Sequence, residues 1–285
     1  MNTLTIAQAL AQECATEDKL SQQWVYDRRN DAEYLLCHVL QKNRAWLISH
    51  SDDVIEPQVL HEFQQLLKRR AAGEPIAYLT GTKGFWNLDL CVTPATLIPR
   101  ADTEVLVEVA LSKIPPDSAV TILDLGTGTG AIALALAQER PRAQVHAVDY
   151  SVQALAVAAI NVQRAGLKNV ELQHSDWFSA VGDHQYDCIV ANPPYIEKDD
   201  PHLSQGDLRF EPMFALVSGV DGLRDLNRIC QQAPKYLKNG AYLILEHGWQ
   251  QGGAVRQLLL ENGFSDIQTV LDLEQRERVS YGRSV

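Results

Sequence analysis

Read for the spacing of its apolar residues, the chain changes character twice. Residues 1 to about 72 place apolar side chains at helical intervals. Leu4, Ala7, Leu10 and Ala11 predict one face, Ala32, Leu35, Leu36, Val39 and Leu40 a second, and Val59, Phe63, Leu66 and Leu67 a third. Asn30, with Glu33 three positions on, predicts the cap of the second helix. Gly73 and Pro75 stop the third. The expectation is a small α-helical bundle. From Pro75 to Val92 the period shortens, and 76–79 with 85–92 flank the glycine-bearing turn Gly81-Thr-Lys-Gly84 as a β-hairpin.

Leu97-Ile-Pro-Arg100 and Ala101-Asp-Thr-Glu104 then lead into a helix carrying Val105, Leu106, Val109 and Ala110, which Pro115-Pro116 ends. Beyond it strand and helix alternate. Strands are predicted at 120–125, 145–148, 170–172, 186–191 and 241–245, with helices at 131–139, 152–165, 223–237 and 254–260. Two last runs, 267–271 and 278–281, close the sheet as an antiparallel pair. The fold class is α/β, a doubly wound Rossmann-like sheet preceded by the helical bundle. The expected domains are 1–73 (helical), 74–93 (hairpin linker) and 94–285 (sheet). Between Tyr195 and Gly222 no periodicity is visible, and loops of that length are usually functional or mobile.

Composition narrows the classes. The 285 residues are 46 % apolar, enough for full cores and against global disorder. A net charge of −11 argues against a duplex nucleic-acid partner. Five scattered cysteines without a Cys-x-x-Cys read as reduced core thiols of a cytosolic protein. The start lacks the pattern of a signal peptide, and no run approaches the roughly 18–20 apolar residues of a membrane span. A soluble, intracellular protein is expected. His61-Glu62 starts like a metalloprotease helix but lacks the second histidine, and the other histidines form no ligand cluster, so no metal is expected. Lys68-Arg-Arg70 reads as a solvated helix end complementing the dipole, with contact to ribosomal RNA or an acidic partner as the alternative, and His247 as a helix-entry or structural residue.

The chemistry concentrates at two strand ends. Asn192-Pro193-Pro194-Tyr195 follows the run 186–191, at the carboxyl end of a buried strand, where open α/β sheets hold ligands. Two prolines supply no N–H, so the turn only accepts hydrogen bonds. Asn192 adds a side-chain carbonyl and Tyr195 a flat face with a polar tip. The turn suits a planar group bearing NH₂ and not a phosphate.

After the first strand comes Asp124-Leu-Gly126-Thr127-Gly128-Thr129-Gly130, opening a helix of small residues. The glycines alone also fit a dinucleotide fingerprint if Ala131 takes its last position. Asp124, however, would repel a diphosphate and welcome a cation. Asp149 ends the next strand, where a carboxylate accepts ribose hydroxyls. Asp176 and Trp177 follow the third strand, where Asp176 accepts from an adenine amino group and Trp177 packs on its ring. Together these describe a pocket for S-adenosylmethionine.

With these pieces in place the chain resembles the HemK/PrmC family, the N5-glutamine methyltransferases of peptide-chain release factors. The resemblance runs nearly the whole length. It rests on 31–36 (Asp-Ala-Glu-Tyr-Leu-Leu), Gly73-Glu-Pro-Ile-Ala-Tyr-Leu-Thr-Gly81, Leu97 to Arg100, Asp124 to Gly130, Asp149, Asn192 to Tyr195 and Arg209-Phe-Glu-Pro212. It implies a class I methyltransferase sheet, with S-adenosylmethionine on Gly126 to Gly130, Asp149, Trp177 and Asn192. The substrate amide would sit on Asn192 to Tyr195. The implied reaction methylates the glutamine of the Gly-Gly-Gln loop of class-1 release factors, and so modulates translation termination. Ala101 stands where the family usually has proline, which loosens a turn but removes no functional group. A sister branch methylates a ribosomal-protein glutamine, but Arg100-Ala-Asp-Thr-Glu104 is more similar to the release-factor branch.

An amide nitrogen is a weak nucleophile because its lone pair is delocalised. The expected mechanism is therefore positioning: Asn192 Oδ1 and the Pro193 carbonyl each take one N–H and aim the nitrogen at the sulfonium methyl. As positive charge grows on nitrogen these acceptors bind more strongly, with Tyr195 packing on the amide plane and no dedicated base. Two other classes compete. One is an amino methyltransferase of a flipped adenine, which would need a basic groove; the other is a noncatalytic module binding the cofactor and a protein. The expected partner is a release factor, without direct nucleic-acid or membrane contact, and the expected state is a cytoplasmic monomer.

Overall fold

A computed structural model of the chain describes residues 4–15 and 22–285, without the side chains of 13–15 and 22–27. It divides into two compact units, Met1–Gly81 and Thr82–Val285.

The first unit is helical. Its elements are α1 (Ile6–Ala15), α2 (Gln22–Leu40), α3 (Arg44–Ser49), α4 (Pro57–Ala71) and α5 (Ile76–Thr80). Leu35 and Leu36 of α2 and Phe63 of α4 are its buried centre, joined by Ile6 and Leu47. On α1 the inward residues are Ile6 and Ala9, while Ala7 and Ala11 face out. Half of the predicted face holds, with Leu4 and Leu10 packed against the core, while Ile6 and Ala9 take the places expected of Ala7 and Ala11. Asn30 lies inside α2 and caps nothing: no glycine or proline separates it from Gln22, so the helix runs straight through. An asparagine cap does open α3, where Asn43 accepts from the Trp46 amide at 2.9 Å. The basic end of α4 is not simply solvated. Arg70 pairs with Asp31 of α2 at 2.6 Å, and Arg69 with Glu74.

The hairpin is displaced from its expected place. Residues 76–80 are the helix α5, whose Tyr78 and Leu79 amides turn back to the Pro75 carbonyl and which ends at left-handed Gly81 (φ 69°). A short apolar run cannot be assigned to strand or helix by periodicity alone, and here the flanking Pro75 and Gly81 are helix ends. The strands are β1 (Thr82–Phe85) and β2 (Leu88–Cys91), joined at Trp86-Asn87 with Trp86 left-handed. Asn161 clamps the Cys91 backbone, accepting its N–H at 2.6 Å and donating to its carbonyl at 3.0 Å.

The rest of the second unit alternates as the pattern predicts: α6 (Glu104–Lys113), β3 (Thr121–Leu125), α7 (Ala131–Glu139), β4 (Gln144–Asp149), α8 (Val152–Ala165), β5 (Val170–His174) and β6 (Tyr186–Ala191). Then follow α9 (Arg224–Tyr236), β7 (Leu237–Glu246), α10 (Gly252–Glu261), β8 (Ser265–Leu271) and β9 (Glu277–Arg283). The sheet has seven strands in the order β5-β4-β3-β6-β7-β9-β8. Only β9 runs antiparallel to its neighbours. Strand residues alternate between two cores, one beneath α6 and α7 and the other beneath α9 and α10. The order reverses between β3 and β6, which makes their carboxyl ends the switch point where such sheets bind ligands. The segment 195–222 is not featureless. It contains 3₁₀ turns, and its ends meet where Ile196 and Val217 bridge. Cys188 and Cys230 are buried free thiols, Cys37 and Cys91 are half-buried, and the side chain of Cys14 lies outside those described. Among the described residues no helix is long and apolar enough to cross a membrane.

Candidate active site

The glycine turn between β3 and α7 is the first wall. Gly126 and Thr127 both donate to the Val148 carbonyl at 2.9 Å, folding the turn back over β4. Gly126, Gly128 and Gly130 all have positive φ, so the bend needs residues without a Cβ. Asp149 ends β4, with Oδ2 accepting the Gly128 amide and Oδ1 the Ser151 amide, both at 2.8 Å. Burial raises its carboxyl above the usual range, opposed by these amide bonds. Asp124 is fully buried. Thr127 donates to its Oδ2 at 2.6 Å, while Oδ1 has no hydrogen-bond partner. Burial pushes its carboxyl up to about 7, with the Thr127 bond opposing. Thr129 is buried, and its carbonyl accepts from Asn161 at 2.9 Å.

Trp177 holds a left-handed backbone (φ 51°), and its ring lies against Gly126, where any Cβ would press on it. Asp176 beside it is forked by Arg228 of α9 at 2.8 and 3.0 Å.

On the other side of the switch point, the Asn192 side chain donates through Nδ2 to Thr103 Oγ1 at 3.2 Å, which leaves Oδ1 as its outer end. Among the described residues the Pro193 carbonyl accepts no hydrogen bond. The Tyr195 hydroxyl donates to Glu246 Oε1 at 3.3 Å, and burial with that negative neighbour raises the phenol above its ordinary value. Glu246, 1 % exposed at the end of β7, is itself pushed up to about 7 by burial. The Tyr195 carbonyl takes the Gln251 amide at 3.0 Å and packs on Gly222, where a Cβ would overlap it. His247 is buried between the Gly248 carbonyl and Ser280. Two stretches read separately in the sequence are one contact: Arg100 pairs with Glu211 at 2.6 Å, and Glu211 also accepts the Ile98 amide.

A cleft of about 460 Å³ connects the two walls, lined among others by Gly128, Asp149, Trp177, Asn192 and Pro194. Of the predicted site residues, Asp124, Thr127, Thr129, Gly130, Pro193 and Tyr195 do not line the cleft and stand behind those that do.

Family comparisons agree with this architecture. Residues 15–81 match the PrmC N-terminal domain and residues 101–206 the methyltransferase small domain. The chain is 52 % identical to the release factor glutamine methyltransferase of Xylella fastidiosa (strain 9a5c), over 90 % of this chain and 93 % of that one. It is 49 % identical to that of Escherichia coli (strain K12), over 90 % and 92 %. The chain belongs to the release factor glutamine methyltransferase family. Its fold is that of a methyltransferase from Pyrococcus furiosus, with a TM-score of 0.53 at 17 % identity, covering 78 % of this chain and all of that one. It is an S-adenosylmethionine-dependent enzyme.

The residues present fit that cofactor. A buried oxygen of Asp124 without a hydrogen-bond partner is unusual, and a cationic ligand at the glycine turn would favour the ionised form of that carboxyl. Sequence reasoning missed Thr103, Arg228 and Glu246. Thr103 lies in the stretch 100–104 that carries part of the resemblance, but nothing local tied it or the other two to the site, because each reaches it from a distant stretch. Tyr150, immediately after Asp149, also lines the cleft and was not singled out in the sequence.

Proposed function

We propose that this family member methylates N5 of the glutamine side chain in the Gly-Gly-Gln loop of class-1 peptide-chain release factors. Its relatives at about half identity carry the name release factor glutamine methyltransferase. The observation that carries the chemistry is Asn192. Its amino end is tied to Thr103, which leaves its oxygen as the acceptor at the cleft, and the carbonyl of the next residue, buried Pro193, is unengaged among the described residues. S-adenosylmethionine, when bound, supplies a methyl on a positively charged sulfur that leaves as a neutral thioether.

Gly126 to Gly130 with Thr127 and Thr129 would hold it along the turn, Asp149 at the ribose, and Asp176 and Trp177 at the adenine. Asp124 would supply the charge behind. Asn192 Oδ1 and the Pro193 carbonyl take the two N–H bonds of the substrate amide, and these bonds strengthen as nitrogen becomes cationic, until the methylated amide releases one proton to solvent. Pro194 packs on the amide plane, and Tyr195, its hydroxyl on Glu246, supports the turn from behind. Arg228 grips Asp176, and that hold fixes the carboxylate while its outer lone pairs remain acceptors.

In the same reading residues 1–73 grip the protein substrate, 74–93 connect, and 94–285 carry the transfer. The enzyme works as a cytoplasmic monomer without direct nucleic-acid contact, in keeping with its net charge of −11. The test is peptide mapping of release factors incubated with the enzyme and labelled cofactor. A single added methyl on the loop glutamine is expected. Label on another residue, or on nucleic acid bound with a steep salt dependence, would overturn the reading.

A further inference from the structure

A carboxamide has an acceptor end and a donor end of nearly the same shape, and only what lies behind it decides which one faces outward. Behind Asn192 lies Thr103, 5 % exposed in the 3₁₀ turn Ala101–Thr103 that leads into α6. Its Oγ1 accepts from Asn192 Nδ2 at 3.2 Å. A hydroxyl carries one proton, so Thr103 remains free to donate in another direction.

The group in that direction is Glu246. Its carboxyl is close enough to the Thr103 hydroxyl for that hydroxyl to stabilise its charge. Its Oε2 is buried without a hydrogen-bond partner, and its Oε1 accepts from Tyr195. Arg278 from β9 and Asp102 from the same 3₁₀ turn are the charged groups that face it, and their signs oppose. Tyr195 therefore hangs directly from this buried carboxyl, and the Thr103 hydroxyl that holds Asn192 lies beside it.

We infer that Thr103 is a positioning residue for methyl transfer: accepting from Asn192 and donating toward Glu246, it holds Asn192 with Oδ1 facing the acceptor amide. Were the Thr103 proton turned onto Asn192 instead, the Asn192 amino group would face the substrate amino group, and the two donors would repel. The inference rests on the glutamine-methylating reading above.

Thr103→Val keeps the size of the side chain and removes the hydroxyl, while Thr103→Ser restores it. In Thr103→Val, kcat on the release factor should fall about tenfold or more, because a misaligned acceptor loses the near-attack geometry. The Kd for S-adenosylmethionine should stay within about twofold, the signature of a loss confined to the chemical step. Thr103→Ser should recover most of kcat. Full activity in Thr103→Val, or equal loss in the valine and serine variants, would overturn the inference. A second measurement needs no substrate. In enzyme carrying ¹⁵N-asparagine, the side-chain NH₂ signal of Asn192, assigned by its loss in Asn192→Ala, should move in Thr103→Val and return in Thr103→Ser. An unmoved signal would overturn the inference. Should the wild-type enzyme leave the release factor unmodified, the proposed function falls, and this signal still decides the role of Thr103.

Discussion

The cofactor half of the cleft is built largely from main chain, whereas the acceptor half is built from side chains gathered from distant stretches. In the first, glycine φ values, amides donated to Asp149 and paired bonds to the Val148 carbonyl shape the wall within the span 124–151. In the second, Asn192 leans on Thr103, which is 89 positions away, and Tyr195 on Glu246, 51 positions away. A wall made of backbone gives shape and affinity. One made of mutually oriented side chains gives direction to a reacting atom. Damage to the first should appear in binding, and damage to the second in turnover.

The sharpest way to break that contrast is Asn192→Ala. Loss of a positioned acceptor should reduce kcat by roughly a hundredfold or more, about 3 kcal/mol, with little change in cofactor affinity. Single-turnover methylation beside equilibrium cofactor binding checks it, and equal losses in both would merge the two halves.

Next comes Gly128→Ala. At φ 56° an alanine is strained by about 1–2 kcal/mol, and nothing in the protein lies within 4 Å of the new methyl, which points to open space. Cofactor affinity should weaken about tenfold while kcat at saturating cofactor holds, since 1.4 kcal/mol is a factor of ten. A kcat defect instead would show that this turn also aims the methyl.

The smallest expected effect is on pH dependence, through Asp124. Burial pushes its carboxyl up to about 7, from 3.8. Without cofactor the folded protein keeps a proton that the unfolded chain releases, so stability falls as pH rises through that window. A cationic ligand favours the ionised form, so cofactor affinity should weaken as pH drops below about 7, by at most tenfold per unit. Calorimetric titration at several pH values checks it, and Asp124→Asn should flatten the profile.

This division also explains what could be read in advance. The turn from Asp124 to Gly130, the bounds of α7 and α8, and the last strand pair are written in contiguous residues, and each was legible. Asn192 to Tyr195 was legible as a motif, but its support was not. Arg100 finds Glu211 across 111 positions and Arg228 finds Asp176 across 52, and no local periodicity encodes such pairs. Residues 76–80 were misread for the opposite reason. Five apolar-rich residues satisfy either period, and the glycine and proline at their ends decided it.

The pairing of β3 with β6 sets Leu125 opposite Ala191, so the cofactor turn and the acceptor turn leave the sheet side by side. One residue along a strand is about 3.3 Å, close to the separation across which a reacting nitrogen meets its methyl. The hydrogen-bonded ladder between these two strands thus fixes how the two turns stand relative to each other along the sheet. Shifted by a single rung, it would set the two partners apart by a whole reaction distance and turn Asn192 to the opposite side of the sheet.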